Sequence, residues 1–271
     1  MKNYIIKKNK KIYYSKIGKG NPIVLLHGIS SSSKTWSKVA NQLKKTNTLF
    51  LVDFRGHGNS DHFESYNWND YTEDTVELIE KNIKEPVDLI GHSLGACVAA
   101  QTASLINNKI NKIILEDPPF YHYDRYGKKL ISDRFIGNLK LSKEYNSKKE
   151  IYDKLSSNSK LAKVKNLDLI AENLSNLDYK VLESTISGEA LKSFSSNKII
   201  SKISNIDTLL LAGDPKKTGN VIIPEEIKYI ENIIDKIKVV YFKNTGHNIH
   251  EEKYNDFMKE ILIFLNETKK L

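Results

Sequence analysis

No stretch of this chain constrains the fold more tightly than Leu89-Ile90-Gly91-His92-Ser93-Leu94-Gly95-Ala96-Cys97. An apolar run, Val87-Asp88-Leu89-Ile90, precedes it and reads as a buried strand. A small-residue segment follows it from Leu94 to Ile106, where Gly95, Ala96, Ala99, Ala100 and Ala103 suit a helix packed closely on a sheet. A strand that turns this sharply into a helix strains its turn residue, and only small neighbours fit around the turn. Gly91 and Gly95 meet that need on either side of Ser93. The Ser93 hydroxyl is then expected above the sheet at a helix N-terminus. There the Leu94 N–H points outward and can hold a developing oxyanion.

The chain before and after this turn alternates strand and helix. Tyr4 to Ile6 and Lys11 to Ser15 read as two short strands around a turn at Lys8-Asn9-Lys10. Ile23-Val24-Leu25-Leu26 is a continuous apolar run, as a strand covered on both faces requires. It ends in His27-Gly28-Ile29-Ser30, and open α/β sheets place ligands at such carboxyl ends. Gly28 allows close backbone approach, and the Ile29 N–H is the expected second oxyanion donor. His27 reads as a brace for this loop. A helix to Leu43 follows, with Ser32, Ser33 or Thr35 as its N-cap, and then a strand at Leu49 to Val52.

That strand runs into Asp53-Phe54-Arg55-Gly56-His57-Gly58-Asn59-Ser60, a tight loop in which Asp53 and Arg55 are expected to pair. His57 also reads as a brace. Tyr71 to Lys84 has helical spacing, and Ile110 to Leu115 is a further strand closed by Glu116-Asp117-Pro118-Pro119. Alternation of this kind argues a parallel sheet with helices on both faces, an α/β fold.

From about Tyr121 to Ser204 the alternation stops. Ser142 to Leu155, Leu167 to Asn176 and Glu189 to Phe194 are polar with helical spacing, which reads as a helical insertion. Tyr121, His122, Tyr123, Tyr126 and Phe135 cluster at its entrance, either as local core or as the wall of a substrate pocket. Thr208 to Ala212 restores the strand pattern and ends in Gly213-Asp214. A helix is expected over Lys228 to Asp235, a last strand over Lys238 to Phe242 and a closing helix over Tyr254 to Leu265. Gly246-His247 follows the last strand.

Ser93, Asp214 and His247 thus stand at the carboxyl ends of three expected strands. A nucleophile, a base and an orienting anion are the parts that acyl transfer needs. Asp117 is the rival acid and His250 the rival base. Asp214 is preferred because Gly213 frees its loop, and His247 because it follows Gly246 directly.

Taken together, His27-Gly28, Asp53-x-Arg55-Gly56-His57-Gly58-x-Ser60, Gly91-His92-Ser93-Leu94-Gly95, Gly213-Asp214 and Gly246-His247 resemble the α/β-hydrolase fold superfamily over nearly the whole chain. The order serine, acid, histidine is the one that fold uses. The resemblance implies a core domain of residues 1–119 and 205–271, with a helical cap at 120–204 inserted after the sixth strand. It implies a serine esterase or lipase-like enzyme with Ser93, Asp214 and His247 as triad and Ile29 and Leu94 at the oxyanion hole. Serine at the turn, where dehalogenases and epoxide hydrolases of the family carry aspartate, points to a small ester, thioester, lactone or C–C bond. A ligand-binding member without activity is the alternative class.

Bulk properties bound the rest. The 271 residues carry 42 Lys plus Arg against 33 Asp plus Glu, a formal charge of +9. The lysines are spread beside Asn and Ile with no basic stripe, so no nucleic-acid partner is expected. Cys97 is the single cysteine, which excludes an internal disulfide and reads as a small buried apolar group. The first eight residues are too polar for a signal peptide, and no run reaches the ~18 apolar residues of a membrane span, so a cytoplasmic location is expected. The histidines are scattered and Cys97 is alone, so neither metal nor cofactor is expected.

Overall fold

The computed structural model describes residues 3–7, 9–121, 124–125, 133–159, 164–217 and 221–266. Its centre is an eight-stranded sheet in the order β1-β2-β4-β3-β5-β6-β7-β8. The strands are β1 (Asn3–Lys7), β2 (Lys10–Gly18), β3 (Asn21–Leu26), β4 (Asn47–Val52), β5 (Val87–His92), β6 (Ile110–Glu116), β7 (Asp207–Ala212) and β8 (Ile237–Tyr241). β1 and β2 pair antiparallel, as does β2 with β4, and every later pairing is parallel.

The apolar runs explain the parallel part. Ile23, Val24, Leu25 and Leu26 of β3 are all 0% exposed, so both faces of the strand are covered. Each such side chain contributes about 1.5–3 kcal/mol by leaving water. One face packs with Phe50, Leu89, Ala96 and Ala100 in the larger core. The other packs with Trp36, Leu43, Phe257 and Ile261 in a second core.

Helices α1 (Ser37–Leu43), α2 (Trp68–Asn82), α3 (Leu94–Leu105), α4 (Asp133–Glu144), α5 (Lys148–Ser156), α6 (Leu167–Ser175), α7 (Tyr179–Ser187), α8 (Ser196–Lys202), α9 (Pro224–Glu231), α10 (Ile249–Glu252) and α11 (Tyr254–Asn266) complete the described chain. Of these, α4 to α8 lie between β6 and β7. No helix among the described residues is long and apolar enough to cross a membrane.

Two helices start earlier than their apolar spacing indicates, and capping explains both. α2 begins at Trp68 because Asn67 caps it and Asp70 turns back to accept the Asn67 N–H at 2.9 Å. α9 begins at Pro224, whose missing N–H costs nothing at the first helical position, and Glu226 accepts the Ile223 N–H at 3.3 Å. The expected helix over Lys228 to Asp235 is displaced accordingly, and α9 ends at Glu231.

The stretch between β6 and β7 binds back to the core through α6 and the start of α7. Ser32 donates to Asn173 of α6 at 2.7 Å, and both residues are buried. The Tyr66 hydroxyl donates to Asp178, the residue before α7, at 2.5 Å, and the Asp178 N–H donates to the Gly56 carbonyl at 2.9 Å. Lys34 reaches Glu172. These bonds tie α6 and the start of α7 to the loops that follow β3 and β4.

Candidate active site

β5 carries Ser93 into position. The residue has φ 55° and ψ −118°, a conformation only a surrounding structure can hold. Its N–H donates to the Glu116 carbonyl at 2.9 Å, and its own carbonyl accepts from Ala96 and Cys97 as α3 starts. A Cβ on Gly91 would collide with the Gly95 backbone, and one on Gly95 with the Leu26 carbonyl, so the turn tolerates only glycine at both. Ser93 is 7% exposed, with Leu94 as the first residue of α3.

The loop after β3 lies against this turn. A Cβ added to Gly28 would sit 3.3 Å from the Ser93 Cβ. Ile29 follows, and Ser30 holds φ 56° because its N–H donates to His57 Nε2 at 3.2 Å. His57 Nδ1 in turn donates to the Arg55 carbonyl at 2.9 Å. Burial, then the neighbouring His27, pushes the His57 pKa down to about 3, which keeps the ring neutral and able to accept. His27 works the same way: Nε2 accepts the Phe54 N–H at 3.0 Å and Nδ1 donates to the Gly28 carbonyl at 2.7 Å. Burial lowers its pKa as well. Both histidines brace the loop that carries Ile29.

Arg55 departs from its expected partner. It forms a two-pronged bond to Asp74 of α2, with Nε and Nη2 each 2.7 Å from a carboxylate oxygen. Asp53 instead accepts the N–H groups of Ser33 at 2.7 Å and Asn59 at 2.9 Å. A planar guanidinium matches a carboxylate that faces it squarely, and Asp74 does so from across the loop.

The second departure concerns the acid. His247 Nδ1 lies 2.5 Å from Asp117 Oδ2, and Asp117 is 0% exposed. The same carboxylate faces the N–H groups of Val221 and Ile222 at 3.3 and 3.4 Å. Asp214, the expected acid, is engaged at the surface. It accepts the Asn244 N–H at 2.8 Å and the Lys216 N–H at 3.0 Å, and these two bonds hold its carboxyl below the usual range. Asp214 thus shapes the turn that leads to His247, and Asp117 holds the imidazole. The physical reason is the backbone of Asp117. Its φ of 43° turns the side chain off the strand direction and toward the His247 loop.

Two residues beside the turn escaped the sequence reading. His92 Nε2 donates to the His247 carbonyl at 3.0 Å, and the two rings stand 4.6 Å apart. Burial, then the neighbouring His247, pushes the His92 pKa well down, so the ring is neutral. Glu116 holds His250. The available signal was the pairing of adjacent acids, Glu116-Asp117, with histidines three apart, His247 and His250. Of the aromatic cluster at the start of the insertion, Tyr121 and half-buried Phe135 pack against the larger core. His122, Tyr123 and Tyr126 lie outside the described residues. Cys97 is buried among the α3 alanines. Among the described residues no three His, Cys, Asp or Glu side chains converge on a point that could hold a metal ion.

A serine at a strained strand-to-helix turn, a loop with braced amides over it, and a carboxylate-bound histidine beside it define a class of hydrolase scaffold. The chain belongs to the alpha/beta hydrolase fold family, whose model matches residues 21–254. It is 25% identical to a putative esterase/lipase 2 of Mycoplasma genitalium over 259 residues, 92% of this chain and 91% of that protein. A shorter stretch of 84 residues is 37% identical to a probable alcohol acetyltransferase of Cyberlindnera fabianii. It covers 30% of this chain and 23% of that protein. An esterase from Exiguobacterium antarcticum superposes with a TM-score of 0.75 at 23% identity, over 98% of this chain and 100% of that one.

Proposed function

We propose that the protein is a serine hydrolase that cleaves a small carboxylic ester, thioester or lactone. Ser93 is the nucleophile, His247 the base and Asp117 the orienting acid. The Ile29 and Leu94 N–H groups hold the oxyanion. The observation that carries this reading is the 2.5 Å bond from His247 Nδ1 to the fully buried Asp117. It fixes the proton on Nδ1 and leaves Nε2 as the basic nitrogen.

In the first half-reaction Ser93 Oγ attacks the acyl carbon and its proton passes to His247 Nε2. Asp117 stays ionised and stabilises the imidazolium. The negative oxygen of the tetrahedral intermediate takes bonds from the Ile29 and Leu94 amides. Collapse expels the alcohol or thiol, which leaves with the proton from His247. Water then repeats the sequence on the acyl-enzyme and regenerates Ser93. The local likeness to a probable alcohol acetyltransferase bears on this second half alone, where an alcohol in place of water would yield a new ester.

We assign residues 120–204 as a cap over this site and the remainder as the core domain. The bonds of Asn173 and Asp178 to Ser32 and Tyr66 support that assignment, because they set the α6–α7 region over the strand ends.

The test is covalent labelling. A fluorophosphonate probe followed by peptide mapping is expected to put the adduct on Ser93, and p-nitrophenyl acetate to give a burst of one product per labelled site. Absence of both labelling and turnover would identify a binding member of the family.

A further inference from the structure

The end of β6 carries two consecutive carboxylates, Glu116 and Asp117, and the segment after β8 carries two imidazoles three residues apart. The fold pairs them one to one. Asp117 takes His247. Glu116 takes His250, whose Nδ1 is 2.9 Å from both carboxylate oxygens and whose backbone N–H donates to Oε1 at 2.9 Å. Consecutive strand residues would face opposite sides of a sheet. The positive φ of Asp117 breaks that alternation and brings both acids to the same loop.

Glu116 is 0% exposed and His250 3%. The far nitrogen of His250 meets Thr35 Oγ1 at 2.8 Å, and its ring lies 4.5 Å from Trp36 and 5.2 Å from His92. Glu116 therefore touches both halves of the proposed machinery. Its carbonyl accepts the Ser93 N–H. Its carboxylate anchors the first turn of α10, which begins two residues after His247.

Burying an ion pair is a poor way to gain stability, since an apolar pair of the same volume would serve as well or better. What a bonded pair supplies is a defined geometry. We propose that Glu116 and His250 are a positioning pair that sets His247 relative to Ser93. This rests on the reading of Ser93 and His247 as nucleophile and base. Neither Glu116 nor His250 touches a reacting atom. A displacement of about 1 Å at a base costs on the order of 10²-fold in rate, so the effect falls on turnover and spares substrate binding.

Glu116→Ala and Glu116→Gln separate this from a purely structural role, with p-nitrophenyl acetate as substrate and the burst as a count of working sites. Glu116→Ala is expected to lower kcat per titrated site by roughly 10–100-fold with KM within about threefold. Glu116→Gln keeps an acceptor for the His250 N–H groups and is expected to recover most of that loss. His250→Asn, which removes the ring and keeps Glu116, is expected to match Glu116→Ala and serves if that variant does not fold. Full turnover per titrated site in Glu116→Ala or His250→Asn would overturn the proposal. So would a loss of activity that merely tracks a loss of titratable sites. Wild-type protein that neither labels nor turns over would sink the triad reading first, and this one with it.

Discussion

His247 can act as a base only in the tautomer that leaves Nε2 unprotonated, and Asp117 selects that tautomer by accepting from Nδ1. Ser93→Ala is expected to keep the fold and lower kcat by roughly 10⁴-fold or more on any ester the enzyme accepts. Steady-state kinetics with an active-site count checks it, and retention of a tenth of the activity would remove Ser93 from the role. The bracing histidines give a pH prediction. His57 has a folded pKa of about 3 against 6.5 unfolded, so below pH 6.5 the unfolded chain binds a proton that the folded chain refuses. Its contribution to stability is complete above pH 6.5 and drains away as the pH falls toward 3. His57→Gln is expected to flatten the fall of the urea midpoint across that window. An unchanged slope would mean that His57 protonates in the folded state. At this scale the sequence disclosed residue types and left partners undecided. Asp117 and Asp214 both close strands, and the positive φ of Asp117 together with the amides that hold Asp214 sets the two carboxylates apart.

Elements were more legible than partners. The strands β3, β5 and β6 are built around the buried runs Ile23–Leu26, Leu89–Ile90 and Ile113–Leu115, and the turn between β5 and α3 announces itself through glycines that nothing larger can replace. Caps were less legible, because Asn67 with Asp70 and Pro224 with Glu226 lie outside the apolar periodicity that marks a helix. The Arg55–Asp74 pair joins the loop after β4 to α2 and could not be read from the loop alone, since the partner lies 19 residues on. Without Asp74 the buried Arg55 loses its two-pronged partner and keeps the longer contacts to Asp70 at 3.3 Å and the Ser65 carbonyl at 3.4 Å. Asp74→Ala is expected to cost about 3–5 kcal/mol in urea unfolding while kcat per titrated site stays within a few-fold. A stability change below about 0.5 kcal/mol, the size usual for a surface site, would show that the pair carries no weight.

For the whole molecule, the proposed cap and the core divide the work. In the proposed division the sheet fixes the reacting groups and the helices between β6 and β7 form the cap. Phe135, half-buried on α4, packs against the larger core. Phe135→Ala is expected to shift preference along a series of p-nitrophenyl esters from acetate to octanoate, with little change in Tm. A fall in Tm with the same preference would make it cap core only. Dialysis against EDTA is expected to leave activity intact, since every proposed step is a proton transfer or a bond change at Ser93, His247 and the substrate. The identity of the acid is read from kcat per titrated site for Asp117→Asn and Asp214→Asn on a single p-nitrophenyl ester. Asp117→Asn is expected to lose on the order of 10³–10⁴-fold through the wrong tautomer, and Asp214→Asn less than tenfold. Severe loss at Asp214 with near-normal turnover at Asp117 would make Asp214 the acid.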